Sequence, residues 1–555
     1  MTIKSPEILQ EQINSIITLF SNGQIQEALD TVVALIKDYP NNPLLYNISG
    51  ACYASLGQLD TAVKNYEKSL TIKPNYAEAH NNLGGTLQEL GQLDTAVKSY
   101  EKALTIKPDY PEAFNNLCST LKELGQLDTA VKSYEQVLAI NPDFAEAHNN
   151  LGIARKELNQ HDAAVKCFEQ ALVIKPDFVE AHSNLADTLQ DLGQLDAAVK
   201  IYKKVLAIKP DFAITYNNLG LALQKLGRLD EAVTSYEKAL IIKPDFAEAH
   251  NNLGITLKNL GRLDEAVTCY EKALIIKPNF AETHNNLGNA LYDLGQHDSA
   301  VKYFKSAIEI KSNYAEAHNN LGNALMGLGQ LDASIRSVEK ALAIKPDYAE
   351  AHNNLGNSLT NLNQLDAALV SYGRAITLKP DINYILGQLL HTKMHLCIWD
   401  DLPNRLNELT KKINNNEKVI TPFSLLALID NPEIQRKTAE ICVNDMHPKS
   451  YVLPEIGLYP KHKKIRIGYF SADFHNHATM HLMAELFECH DKKKFELIAF
   501  SFGPDQQDQW RKRVLLCFDQ FVDVRLKSDR EISLLARQME IDIAIDLKGF
   551  TQDCR

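Results

Sequence analysis

NYAEAHNNLGGTLQELGQLDTAVKSYEKALTIKP, residues Asn75 to Pro108, is the cleanest copy of a unit that recurs every 34 residues from Asn41 to Pro380. A proline stands at the end of the unit at Pro40, Pro74, Pro108, Pro142, Pro176, Pro210, Pro244, Pro278, Pro346 and Pro380, and Ser312 takes its place once. Within the copy, Ala79, Leu83, Thr86, Leu87 and Leu90 fall near helical spacing and predict one amphipathic helix. Leu93, Ala96, Val97, Tyr100, Ala103 and Leu104 predict a second. Leu90-Gly91-Gln92 is the turn between them. Gly84 belongs where two helices approach closely, because it adds no side chain. Pro108 stops the second helix by removing a hydrogen bond and clashing with the preceding turn.

A 34-residue period with this pattern is the signature of tetratricopeptide repeats. One helix pair cannot bury its own apolar face, so stability comes from stacking on neighbours. The prolines and Ser312 delimit ten full units over residues 41–380, and residues 1–40 read as a degenerate amino-terminal repeat or cap. The predicted fold class is therefore mostly α: a tetratricopeptide-repeat superhelical solenoid, followed by a partial α/β lobe argued below.

Composition agrees and excludes other classes. The 555 residues are 45% hydrophobic and 23% charged, with a net charge of -12. That is neither a disordered chain nor one with the basic face that nucleic acid requires. No stretch reaches the roughly 18 apolar residues of a membrane span, and MTIKSPEILQEQINSIITLF makes a poor signal peptide. The nine cysteines are scattered without a CxxC pair and read as reduced thiols of a cytoplasmic protein.

Two polar rows recur through the repeats. His80, His148, His182, His250, His284, His318 and His352 share one position, which Phe114 and Tyr216 also occupy. Aromatic substitutes point to packing rather than metal. The second row is asparagine: Asn82, Asn116, Asn150, Asn184, Asn218, Asn252, Asn286, Asn320 and Asn354. Asparagine is a mediocre helix former, so each copy costs a few tenths of a kcal/mol. An amide carries donors and an acceptor, which suits holding an extended peptide backbone without reading its sequence. A ladder of bonds between repeats that only stiffens the stack, or recent duplication, explains the row equally in kind. Asn289, Asn323 and Asn357 form a partial second row one turn further along.

After Pro380 the period ends. Residues 381–462 read as an irregular helical connector punctuated from Pro422 and Pro432 to Pro448, Pro454 and Pro460, with Trp399 and Phe423 as packing anchors. From Lys463 the pattern changes to alternating strands and helices. Strands are expected at Ile465–Ser471, Phe495–Phe502, Phe521–Val524 and Ile541–Leu547, with helices near Thr479–Cys489, Asp508–Leu516 and Asp529–Met539. That alternation implies a parallel, Rossmann-like sheet. Sites in such sheets form at the carboxyl ends of strands. The loop after the first strand is Asp473-Phe474-His475-Asn476-His477-Ala478-Thr479-Met480-His481. Its three histidines do not match the HExxH zinc pattern, and Asp473 is the only nearby carboxylate. A histidine at the helix terminus that handles protons or binds an acceptor hydroxyl is the reading preferred over metal, beside that of plain exposed loop histidines.

The asparagine-bearing repeats, the connector, IRIGYFSADFHNHATMHL and the later IDLKGFT together resemble the protein O-linked N-acetylglucosamine transferases and their Spindly-type relatives. The motif residues are Ser471, Asp473, Phe474, Asn476, His477 and His481. The resemblance implies that His477 is the active-site histidine of an amino-terminal catalytic lobe, supported by Asp473, Asn476 and His481. It implies that the asparagine row holds polypeptide substrate. It implies transfer of a sugar, N-acetylglucosamine from UDP-GlcNAc in first place, to Ser or Thr hydroxyls, without a further cofactor. The family fold has two Rossmann-like lobes, and residues 463–555 span part of the first. By this resemblance the main donor-binding lobe lies outside the chain. The expectation is a protein inactive alone, completed by a partner chain or working as a non-catalytic peptide-binding scaffold. A chaperone adaptor is disfavoured, because such grooves offer Lys and Arg where this one offers neutral asparagine.

Overall fold

The computed structural model describes residues 6–108, 110–446, 456–457, 459 and 461–547. Pro448, Pro454 and Pro460, and Lys548 to Thr551 of the second motif, lie outside the described residues. The chain divides into two compact units, Met1–Gly295 and Gln296–Arg555.

The first unit is built of antiparallel helix pairs. Pro6–Ser21 and Ile25–Asp38 form the leading pair, and Pro43–Ser55 with Leu59–Ile72 begins the regular series. In the quoted copy the helices are Ala77–Glu89 and Leu93–Ile106. Gly91 between them sits at φ +73°, a left-handed conformation that costs an L-residue energy. Asn159 and Asn363 replace that glycine in two copies at φ +58° and +56°, asparagine being the side chain that best tolerates the region.

Gly84 is the close-approach glycine, and its partner is aromatic. A Cβ there would lie 2.6 Å from Cε1 of Tyr100. Gly152 meets Phe168, Gly220 meets Tyr236 and Gly254 meets Tyr270 in the same way. Each ring is fully buried, so the glycine and the ring are one packing unit. Burial pushes the Tyr100 phenol up to about 12. Successive pairs are also tied at the surface by Lys122–Glu157 at 2.7 Å and Lys156–Asp191 at 2.9 Å. These exposed pairs add little stability each.

In the second unit the same pattern runs through Leu331–Ile344, Ala349–Asn361 and Leu365–Leu378. Helices Ile385–His395, Leu402–Asn414, Pro422–Leu426 and Pro432–Met446 follow. Their core is Leu386, Leu390, Leu409, Ile413, Val419, Ile420, Leu425 and Ile434. Trp399 and Phe423 are not the anchors expected from their size: they are 53% and 67% exposed. Trp399 sits in the turn between two helices, and in the five-residue helix the buried side is taken by Leu425 instead of Phe423.

The last part of this unit is a parallel four-stranded sheet of β1 (Ile465–Ser471), β2 (Phe495–Ser501), β3 (Gln520–Asp523) and β4 (Ile543–Asp546), in the order β3-β2-β1-β4. Helices Ala478–Cys489 and Gln509–Leu515 accompany a core of Tyr469, Phe474, Met480, Phe487, Leu497, Val514 and Phe518. A second cluster, Ile498, Phe500, Val524 and Ile532, forms with the helix Asp529–Gln538. Strands β1 and β2 read as near-continuous apolar runs because a parallel sheet is covered on both faces. The order reverses direction at β1: β2 and β3 lie on one side and β4 on the other. In open parallel sheets such a switch point, at the carboxyl ends of the strands, is where ligands bind.

Candidate functional site: the histidine loop and the asparagine row

The loop after β1 leaves the sheet at that switch point. Phe474 is fully buried against Phe487, Phe518 and Phe521, with ring centroids 5.3 to 6.4 Å apart. This anchor holds the flanking polar residues in place. Gly503, after β2, lies so close that any Cβ would collide with the Ala472 carbonyl, so the two loops are locked together.

His477 is the N-cap of the helix Ala478–Cys489, with extended backbone at φ -141°, ψ 153°. Its Nδ1 accepts from the Thr479 backbone N–H at 3.2 Å and lies 3.0 Å from Thr479 Oγ1. Asp473 Oδ2 is 3.4 Å from the same nitrogen; the Asp473 side chain is 7% exposed and that of His477 44%. Thr479 Oγ1 also donates to Asp473 Oδ2 at 3.3 Å. As a cap acceptor the neutral ring carries its proton on Nε2 and offers a donor to the crevice. If Nδ1–H turns instead to Asp473, Nε2 is left bare as a base. The same groups thus support either neutral tautomer of one histidine.

His481 lies one turn on. Its Nε2 is 2.9 Å from Asn476 Oδ1, and its ring lies tilted at 41° to that of Trp510 with centroids 4.1 Å apart. Asp473, Asn476, His477 and His481 are thus together, as the motif suggested. His475 is nearby, its ring centroid 5.9 Å from that of His477. Among the described residues no group of three or more His, Cys, Asp or Glu is placed to hold a metal ion.

Two residues of this site escape sequence reasoning. Asp508 caps the helix Gln509–Leu515 through Oδ1 and accepts from the Asn476 backbone N–H at 2.6 Å through Oδ2. The Arg511 and Asn476 N–H groups hold its carboxyl below the usual range. Its place as an N-cap before a helix was the available signal. Arg511 is 5% exposed; its Nη1 donates to Ser501 Oγ at 3.0 Å and to the Phe474 carbonyl at 3.3 Å, and its guanidinium lies 4.0 Å over the Phe521 ring. Nothing in the sequence distinguishes it from a surface arginine.

The asparagine row is a bonded ladder. Seven of the nine row members reach back 35 residues to an asparagine of the preceding repeat, in six cases the first of an NN pair. Asn82 donates to Asn47 Oδ1 at 3.2 Å, Asn116 to Asn81 at 3.1 Å, Asn184 to Asn149 at 2.9 Å and Asn252 to Asn217 at 3.1 Å. Asn150 bonds Asn115, Asn286 bonds Asn251 at 3.1 Å, and Asn354 bonds Asn319 at 3.0 Å. Asn218 turns to Asp187 instead, at 3.1 Å. Asn320 is half-buried beside Asn319, whose amide faces its Oδ1 at 3.5 Å. The accepting residues Asn81, Asn149, Asn217, Asn251 and Asn319 are buried, and the donors are half-buried. The ladder uses one N–H of a side chain that has two and a carbonyl besides. Stiffening the stack and offering hydrogen bonds to a peptide are therefore compatible. The NN dipeptide was the visible sign of the accepting partner.

The histidine row is more than packing. Nε2 of His80 bonds the Pro74 carbonyl at 3.0 Å, and the same bond recurs from His148, His182, His250, His284 and His352 to the proline six residues before. His318 bonds the Ser312 carbonyl at 3.1 Å, so the link survives where proline is missing.

Family models match both the repeats and the carboxyl-terminal part of the chain. A TPR repeat family model matches eight stretches from 50–91 to 322–362, and tetratricopeptide models match 145–178, 167–200 and 349–382. The Glycosyl transferase family 41 model matches residues 397–555. A probable UDP-N-acetylglucosamine–peptide N-acetylglucosaminyltransferase SEC of Arabidopsis thaliana is 30% identical over 184 residues, 30% of this chain and 19% of that protein. The UDP-N-acetylglucosamine–peptide N-acetylglucosaminyltransferase of Caenorhabditis elegans is 30% identical over 183 residues, 29% of this chain and 15% of that protein. The matches thus span about a fifth or less of those relatives' length. The solved structure of YrrB, described as a TPR protein with an unusual peptide-binding site, aligns with 27% identity and TM-score 0.30 over 35% of this chain and 97% of its own.

Proposed function

The chain belongs to the tetratricopeptide-repeat proteins with a glycosyl transferase family 41 region, and from that premise we propose that it serves protein O-glycosylation. In this reading the repeats hold the acceptor polypeptide in extended form along the asparagine row. The histidine loop acts at the reacting hydroxyl, and the donor is UDP-GlcNAc. The observation that carries the reading is the position of His477: half-exposed at the switch point of the parallel sheet, inside the family 41 match, with buried Asp473 against Nδ1.

The chemistry follows from the ring's two forms. A Ser or Thr hydroxyl is a weak nucleophile until a base takes its proton; its oxygen then bonds the anomeric carbon of the sugar as the bond to the nucleotide diphosphate breaks and UDP leaves with that electron pair. With Nδ1–H on Asp473, Nε2 accepts the hydroxyl proton while Asp473 holds the ring and steadies the imidazolium. With Nδ1 on the Thr479 N–H, Nε2–H instead orients the hydroxyl oxygen. Trp510, His481 and Asn476 form the adjoining wall. The test is transfer of N-acetylglucosamine from UDP-GlcNAc to Ser/Thr peptides, with His477→Ala alongside. Transfer that survives the substitution removes His477 from the mechanism.

The scaffold reading has its own support, since the ladder is complete without the α/β part. Peptide binding that persists with no transfer from any nucleotide sugar favours it.

A further inference from the structure

Three side chains of one short stretch, Asp508, Trp510 and Arg511, reach the histidine loop. Asp508, the cap of the helix Gln509–Leu515, accepts from the Asn476 N–H at 2.6 Å. Trp510 lies against the His481 ring. Arg511 Nη1 donates to the Phe474 carbonyl at 3.3 Å and to Ser501 Oγ, at the end of β2, at 3.0 Å. Asp508 and Arg511 are themselves joined, since Asp508 Oδ1 accepts from the Arg511 N–H at 2.8 Å. Arg513 then makes a two-pronged pair with Glu488, at 2.7 and 2.8 Å, on the helix that His477 caps. The short helix therefore grips the loop main chain on both sides of His475, and the next helix as well.

Stability alone gives no reason for an arginine here. Arg511 is buried, and burial lowers the pKa of its guanidinium. Its Nε is buried without a partner among the described residues. The Asp505 carboxylate stands 3.6 Å from Nη2, on a side chain that is itself half-exposed. The Phe521 ring face, 4.0 Å away, offsets part of the desolvation. A buried cation with a donor left unfilled is a cost that an apolar residue of like volume avoids. What arginine alone supplies is a rigid planar fork that fixes the direction of several bonds at once. Those bonds end on the last residue of β2 and on the loop that leaves β1, so the fork sets where the loop stands on the sheet.

We propose that Arg511 and Asp508 are positioning residues: they hold the Phe474 carbonyl and the Asn476 N–H so that the His477 ring stays on its cap bond with Nε2 toward the reacting hydroxyl. The inference rests on the reading of His477 as the group that acts at that hydroxyl, and adds the helix that aims it. Both residues act through the loop. The leverage is large, because a misplacement of about 1 Å at a reacting group costs up to about a hundredfold in rate.

The test uses Arg511→Lys, which keeps the charge and loses the fork, and Asp508→Asn, which keeps a cap acceptor and loses the oxygen that holds Asn476. Ring-nitrogen NMR of the histidine-labelled full chain, with the His477 signals assigned from His477→Asn, reads the tautomer without any turnover. The parent is expected to show the Nε2–H form that the Thr479 bond requires. Both variants are expected to shift the His477 nitrogens toward the averaged values of a free ring. The His80 signals are expected to stay in place, since the Pro74 carbonyl holds that ring within the repeats. In a chain completed by a donor-binding lobe, kcat is expected to fall about tenfold or more, while the peptide KM stays within about twofold. Parent-like His477 nitrogens and kcat in both variants overturn the proposal. A shift that comes only with a lowered unfolding midpoint marks a structural brace and overturns it too. If the completed parent transfers no sugar but the nitrogens respond as stated, the reading of His477 falls and the positioning stands.

Discussion

Gly84 and Gly85 are neighbours on one helix and have opposite structural meanings. A Cβ on Gly84 strikes Tyr100 at 2.6 Å, whereas one on Gly85 meets only the Tyr100 hydroxyl at an ordinary 3.7 Å. Gly84→Ala is expected to cost roughly 1–3 kcal/mol through overpacking. Gly85→Ala is expected to gain up to about 1 kcal/mol from helix propensity. Thermal unfolding of the two variants checks both signs, and a loss at Gly85 contradicts the packing described. The first glycine was legible as a close approach; that the approaching group is an aromatic ring was not, because the ring lies 16 positions away on another helix. At His477 the cap and the chemistry can be separated. His477→Asn keeps a good N-cap and is expected to fold as the parent does, while His477→Ala loses about 1 kcal/mol of local stability. Both are expected to lose transfer. Retention of transfer by the Asn variant would reduce His477 to a cap.

At the scale of the helix pair, the histidine row makes stability depend on pH with a definite sign. Burial lowers the pKa of His80 and of His250, each bonded through Nε2 to a proline carbonyl, with Nδ1 buried and unpartnered. The folded state therefore favours the neutral ring. Lys102 near His80 and Lys272 near His250 act in the same direction. The contribution is full above the ordinary histidine pKa of about 6.5 and is lost as pH falls through that value toward the folded one. Urea unfolding at neutral and mildly acidic pH is expected to show stability dropping on the acid side. Replacing His80 and His250 by Phe, the residue found at position 114, is expected to flatten the drop. An unchanged slope would exclude these caps as its source. The ladder also belongs at this scale. Replacing Asn150, Asn184, Asn218 and Asn252 by Ala removes bonds worth roughly 0.5–1.5 kcal/mol each. Helicity is expected to survive with a lower unfolding midpoint, together with weaker peptide binding. Unchanged binding would leave the row a purely structural brace. Helix limits and strands were legible because period and turn residues set them locally. The ladder's acceptors, the proline-carbonyl caps and the exposed Trp399 and Phe423 were not, since each depends on which neighbour the stacked chain brings near.

At the scale of the whole molecule, the chain pairs a repeat array crossed by an asparagine ladder with an α/β part whose strand order puts His477 at the switch point of a parallel sheet. The motif residues at that point were readable because a short loop carries them in sequence. Asp508 and Arg511 were not, because they reach the loop from a separate helix, Arg511 by insertion beneath Phe474. The most direct measurement is incubation of the purified protein with UDP-GlcNAc and a Ser/Thr peptide, followed by intact mass. The account predicts no gain from this chain alone and, once a chain carrying the donor-binding lobe is added, a mass gain of one N-acetylhexosamine on the peptide, abolished by His477→Ala and shifted in KM more than kcat by the fourfold asparagine variant. A gain from this chain alone, no gain from the completed pair with any nucleotide sugar, or a gain indifferent to both variants would contradict it.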